Sequence, residues 1–122
     1  LYKMEVYSLA RLYNKRIGKN AVTDSTLTKP PSAELAPDQK DEDSLPPYPV
    51  LDEMLRLHIE EGLDATEITA KGHDGVVVRE VLTRFSKNEH KRWQMAPAPR
   101  VSKRAFGQGW RQPLAARHDW RQ

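Results

Sequence analysis

From Gly18 to Pro49 the sequence shows no apolar periodicity and carries six prolines: Pro30, Pro31, Pro37, Pro46, Pro47 and Pro49. Each fixes φ and removes a backbone donor, so neither a helix interior nor a central strand suits them. Structureless loops beyond ~12–15 residues are uncommon inside compact domains, and those that occur are usually functional or disordered. The middle of the stretch, KPPSAELAPDQKDEDSLPPY, alternates acids, lysine and glutamine between two proline pairs. Composition alone reads it as a solvated tether. The polar set Lys29, Ser32, Glu34, Asp38, Lys40, Asp41, Asp43 and Ser44 offers a second reading, a loop built to meet a ligand. Lysine and hydroxyl donors suit phosphates and sugars; carboxylates suit ribose hydroxyls, amides or a metal shared with phosphate.

Folded structure must be built on either side of this interruption. Tyr2, Val6, Leu9, Ala10, Tyr13 and Ile17 share one helical face, which predicts a helix over 2–17. Lys15 and Arg16 complement the dipole in its last turn, and Gly18 is the expected stop. After the loop at 18–49, Leu51, Met54, Leu55, His58 and Ile59 predict a helix over about 50–61, ended by Gly62. His58 on that stripe reads as a packed core histidine. Asp64 and Glu67 have capping-box spacing for a short helix at 64–71, closed by Gly72. Asp74 is the expected cap of a helix at 74–85 whose buried face is Val77, Val78, Val81, Leu82 and Phe85. Ser86-Lys87-Asn88-Glu89 reads as a further capping box, opening a helix at 86–94. Residues 95–122 read as an irregular basic tail, with no segment that calls for a sheet. The fold class is therefore mainly α with long irregular loops, in one domain with a thin core, since apolar content is below the usual level for globular domains. Leu1 is not an initiator methionine and a helical pattern already runs at Tyr2, so the chain reads as a piece of a longer one.

The net charge of +3 conceals a division. Residues 1–83 carry ten Lys/Arg against fifteen Asp/Glu, a net of −5; residues 84–122 carry ten against two, a net of +8. A basic tail suggests an anionic partner. The absence of cysteine excludes disulfides, thiolate metal sites and cysteine nucleophiles within these residues. No apolar run approaches the ~20 residues of a membrane span, which makes a cytoplasmic protein without a membrane partner the expectation.

These residues by themselves are not a convincing catalyst. Asp52-Glu53 and Glu60-Glu61 are adjacent on helices and do not face each other. The four histidines lack metal-ligand spacing, so no metal site is expected, and Gly107-Gln108-Gly109 lacks the third glycine and following helix of a phosphate loop. What remains, besides the proline-rich loop, is Glu89-His90-Lys91-Arg92. Three cationic or potentially cationic side chains near free N–H groups at a helix start make a candidate anion site.

Read in order, KMEVYSLARLYN, KPPSAELAPDQKDEDSLPPYPVLDEML, NEHKR and KRAFG resemble the C-terminal part of the synthetase domain of glutamine-dependent NAD+ synthetases. The resemblance covers nearly the whole chain, and PPSAEL…PDQKDEDSLPPY is its most specific part; Ala115 to Gln122 have no counterpart. It implies a doubly wound α/β synthetase domain, adenine nucleotide alpha-hydrolase-like, of which this chain is the helical C-terminal portion. It implies an amidating ligase that adenylates deamido-NAD+ with ATP and Mg2+ as substrate complex, then attacks the acyl-adenylate with ammonia drawn from glutamine. No tightly bound cofactor is implied. The resemblance implies a homo-oligomer through the synthetase domain. Neither the SGGxDS loop that grips the ATP pyrophosphate nor the glutaminase cysteine occurs here, so no catalytic residue is expected in this segment and the isolated piece should be inactive. Its implied parts are a substrate-closing loop and dinucleotide contacts. Ser32 stands where the family places a hydroxyl on ATP, within Lys29-Pro30-Pro31-Ser32, and Lys15 aligns with an ATP-contacting lysine of the ammonia-dependent relatives. Lys91, with His90 and Arg92 beside it, matches a deamido-NAD+ contact. Asp38, Lys40, Asp41 and Asp43 take their role from their place in the closing loop.

The rival reading is a basic anion- or nucleic-acid-binding module without catalysis. It rests on Trp93, Trp110 and Trp120 interleaved with arginines, a pattern suited to base stacking plus phosphate contacts. Tryptophan on an arginine stem is also ordinary packing, and the leading reading has no nucleic-acid partner.

Overall fold

The computed structural model describes residues 1–29, 45–96, 98–106 and 109–115. The chain divides into two units, Leu1–Asp52 and Glu53–Gln122. It is mainly helical: α1 (Lys3–Ile17), α2 (Asp24–Thr28), α3 (Tyr48–Ile59), α4 (Ala65–Ala70), α5 (Gly75–Lys87) and α6 (Glu89–Trp93) precede two-residue strands β1 (Ala105–Phe106) and β2 (Gly109–Trp110). Among the described residues no helix is long and apolar enough to cross a membrane.

In the first unit, α1 begins where the Tyr2 amide donates to Glu5 Oε2 at 2.8 Å. A second N–H of the first turn, that of Met4, donates to the Asp52 carboxylate at 2.7 Å. The first four amides of a helix have no partner within it, and an acid there also meets the positive end of the dipole. At the other end Gly18 adopts φ 67°, the left-handed conformation that glycine takes without Cβ strain, and the chain turns. Asn14 fixes the turn from both sides, donating to the Val22 carbonyl at 2.7 Å and accepting from the Val22 amide at 3.0 Å. The expected helical face is present in register, but no α1 residue is buried. Val6, Leu9 and Tyr13 stay exposed, because periodicity sets which residues share a face and not what covers it.

The stretch expected to be loop throughout, 18–49, departs from that expectation at both ends. Thr23 opens α2, where hydroxyls of Thr23, Ser25 and Thr26 hydrogen-bond with one another. α3 starts at Tyr48 with Pro49 at its second position, in the first turn where a missing N–H costs nothing.

In the second unit the core is a helical layer. Met54, Leu57, His58 and Ile59 of α3, Ala65 and Ile68 of α4, and Val78, Val81, Leu82 and Phe85 of α5 are buried. Leu57 replaces the expected Leu55 on the α3 face, and Thr83 and Ser86 join the α5 face while Val77 is half-buried. After α3, Gly62 at φ 77° lets the chain turn so that the Leu63 amide reaches back to the Leu57 carbonyl at 3.1 Å. The caps read from sequence form at α4 and α5. Asp64 and Glu67 exchange backbone hydrogen bonds at 2.8 and 2.9 Å. Asp74 Oδ1 accepts from the Val76 and Val77 amides. The tail is not wholly irregular, since β1 and β2 pair in parallel with Ala105 opposite Gly109 and Phe106 opposite Trp110.

Candidate functional site

The junction of α5 and α6 differs from the expected capping box. Ser86 does not open a helix: α5 continues through Lys87, and Ser86 is buried in it. The last carbonyls of α5 need donors, and the residues that follow supply them. Asn88 occupies the α6 N-cap, yet its amide group donates backward to the Arg84 carbonyl at 2.9 Å. His90 Nδ1 lies 3.1 Å from the Lys87 carbonyl, which can only accept, so Nδ1 carries the proton. Arg92 Nη2 donates to the Phe85 carbonyl at 2.6 Å.

Arg92 is held at more than that carbonyl. Its Nε donates to Glu89 Oε2 at 2.8 Å, and Nη2 lies 2.6 Å from the same oxygen. The guanidinium carbon stands 4.1 Å from the Phe85 ring centroid, within cation–π range. Glu89 is buried at 5% exposure and Arg92 is half-buried. His90 and Lys91, between them in sequence, are exposed. On a helix the 89/92 pair shares one face and the intervening residues point elsewhere. The three cations expected to act alike are thus divided: Lys91 and His90 present free faces to solvent, while Arg92 is built into the packing.

Phe85 connects this pair to the tail. His58 meets Phe85 edge-on at 5.7 Å and Trp110 at 5.2 Å, and Phe85 and Trp110 are 6.0 Å apart. His58 Nδ1 donates to the Leu63 carbonyl at 2.8 Å, pinning the turn after α3. Burial lowers the His58 pKa below its ordinary value, and the Leu63 hydrogen bond opposes this in part. Arg104 donates to the Ile59 carbonyl at 3.3 Å, and the Arg111 guanidinium lies 4.9 Å from the Trp93 ring centroid. Trp93, Trp110 and these arginines are therefore engaged with their own chain, which removes support from the stacking surface of the rival reading; Trp120 lies outside the described residues.

Of the residues expected to contact ATP, Lys15 is exposed in the last turn of α1. Lys29 is exposed at the end of α2, its amide bonded to the Ser25 carbonyl at 2.9 Å. Ser32 and the closing-loop set Asp38, Lys40, Asp41 and Asp43 lie outside the described residues. Among the described residues there is no group of three or more His, Asp or Glu that could hold a metal ion. From sequence, Glu89 falls in a capping box with Ser86; its pairing with Arg92 was missed, although the i, i+3 spacing within NEHKR is the signal for it.

The family model described as NAD synthase matches residues 1–95. Over 117 residues the chain is 50% identical to the glutamine-dependent NAD(+) synthetase of Thermotoga maritima, covering 96% of this chain and 20% of that protein. It is 44% identical over 121 residues to the glutamine-dependent NAD(+) synthetase of Acinetobacter baylyi, covering 99% of this chain and 22% of that protein. Among solved structures it is similar to glutamine-dependent NAD+ synthetase from Acinetobacter baumannii in complex with ADP, with a TM-score of 0.57 and 35% identity over 93% of this chain and 19% of that one. The chain thus spans about a fifth of the length of the relatives it matches. On the match over residues 1–95 and these identities, the chain belongs to the NAD synthase family.

Proposed function

We propose that these residues serve an ATP-dependent amidating ligase that converts deamido-NAD+ to NAD+, as the C-terminal portion of its doubly wound synthetase domain. The observation that carries the reading is the 50% identity to the Thermotoga maritima glutamine-dependent synthetase across 96% of the chain. The ADP in the Acinetobacter baumannii neighbour supports an adenine nucleotide as one substrate. In this reading ATP enters as its Mg2+ complex, the nicotinate carboxylate is adenylated, and ammonia released from glutamine attacks the acyl-adenylate. The enzyme is a cytoplasmic homo-oligomer.

Within it the stretch 18–49 closes over bound substrates. Lys15, Lys29 and Ser32 contact ATP, and Asp38, Lys40, Asp41 and Asp43 belong to the closing segment. Exclusion of water protects the acyl-adenylate from hydrolysis before ammonia arrives. Lys91 and His90 contact deamido-NAD+. The geometry favours this role for them because both are exposed and both stand on a turn whose neighbours are locked to α5. A lysine ammonium carries three donors and no acceptor, which suits phosphate or carboxylate oxygens. In a full-length synthetase carrying this segment, Lys91→Ala is expected to raise KM for deamido-NAD+, or lower kcat/KM, by at least about tenfold, the loss of one charge-assisted contact. Unchanged steady-state kinetics would remove Lys91 from the site.

A further inference from the structure

We propose that Arg92, together with Glu89, is a positioning residue that aims the His90–Lys91 face at the dinucleotide and does not itself contact the ligand. The proposal rests on the reading of Lys91 as a deamido-NAD+ contact.

A helix of five residues cannot hold its own direction, because so short a segment gains too few internal hydrogen bonds to offset the ordering of its backbone. Something outside α6 must fix it. Besides the His90 Nδ1 bond to the Lys87 carbonyl, α6 is tied to the preceding helix through Arg92. One planar guanidinium meets Glu89 through Nε and Nη2, reaches the Phe85 carbonyl with the same Nη2, and lies over the Phe85 ring. Four geometric conditions on one rigid group define its place and that of the turn that carries it.

Burial makes the pair obligatory. Glu89 is 5% exposed, and a carboxylate withdrawn from water is tolerated only with its charge and lone pairs satisfied. Removing Arg92 would leave Glu89 to seek solvent, and α6 would have to rotate to let it. Rotation of α6 moves Lys91 by the same angle, since Lys91 is part of that helix. A lysine at position 92 would not replace the arginine, because a point ammonium cannot bring two donors to the Glu89 carboxylate oxygen and reach the Phe85 carbonyl within one plane. The same engagement argues against Arg92 as a ligand group: its half-buried guanidinium already serves Glu89 and Phe85, whereas Lys91 and His90, the latter bonded through Nδ1 to the Lys87 carbonyl, are exposed.

The test is a double-mutant cycle in the full-length synthetase, with KM for deamido-NAD+ and KM for ATP measured for Lys91→Ala, Arg92→Gln and the two combined. Arg92→Gln is expected to raise KM for deamido-NAD+ by about tenfold with KM for ATP within about twofold, and to add nothing in the Lys91→Ala background. A general loss of structure would raise both KM values or lower kcat alone. Arg92→Lys, which keeps the charge, is expected to give about a threefold rise that likewise vanishes without Lys91. It carries the test if Arg92→Gln does not melt cooperatively. Single-variant losses that multiply in the combined enzyme would make Arg92 a direct contact and overturn the proposal. So would an unchanged KM in both Arg92 variants while Lys91→Ala raises it. An unchanged KM in Lys91→Ala would overturn the reading of the site, and the proposal with it.

Discussion

His58 joins three parts of the second unit through one ring. Its Nδ1 holds the Leu63 carbonyl and its edges meet Phe85 of α5 and Trp110 of β2, so helix end, helix core and tail share a single neutral imidazole. Burial favours the uncharged form, so the folded chain binds this proton less readily than the unfolded one. Stability from this group is therefore complete above the ordinary histidine value of about 6.5 and is lost as pH falls from there toward the lowered folded value. Urea unfolding between pH 8 and pH 5 is expected to show the loss, with a slope of at most about 1.4 kcal/mol per pH unit for one proton. His58→Gln should flatten the profile below pH 6.5; an identical profile would show that His58 takes up its proton equally in the folded and unfolded states. The stripe of α3 identified His58 as a core residue, but its tautomer depends on how the turn after the helix places the Leu63 carbonyl and its tail partner Trp110 lies far away in sequence, so neither was legible.

At the scale of elements, local chemistry was read well where the partners are neighbours. Asp64 with Glu67, Asp74 with the amides of Val76 and Val77, and Gly18 and Gly62 after their helices all act over a few residues. Asp74→Ala should therefore cost about 1 kcal/mol of unfolding free energy, the usual loss of an N-cap, measured by denaturant melts. A cost indistinguishable from zero would mean that water replaces the carboxylate without penalty. The failure at Ser86 has the same physical origin as these successes. Ser-x-x-Glu spacing fits a capping box, but the orphan carbonyls of α5 compete for the same groups, and the arginine three residues beyond Glu89 captures its carboxylate. Sequence spacing shows which groups can meet; the winner is decided by what else is unsatisfied nearby.

For the whole molecule, the limit on reading lies in what the chain does not itself supply. The apolar face of α1 was correct as periodicity and yet Val6, Leu9 and Tyr13 remain exposed, because burial requires a surface that a periodic pattern cannot provide. The proline-rich stretch gave no periodic signal, and the expectation that it meets a ligand came from its polar residues and from resemblance to a family. The chain spans about a fifth of the length of the relatives it matches. We propose that the exposed Lys91 face meets the dinucleotide in a full-length synthetase. Lysine acetylation of the full-length synthetase, read by mass spectrometry with and without deamido-NAD+, tests it directly. At a ligand concentration of about four times Kd, Lys91 should be protected about fivefold while the exposed Lys71 labels equally in both samples. Equal labelling of Lys91 with and without deamido-NAD+ would contradict the account.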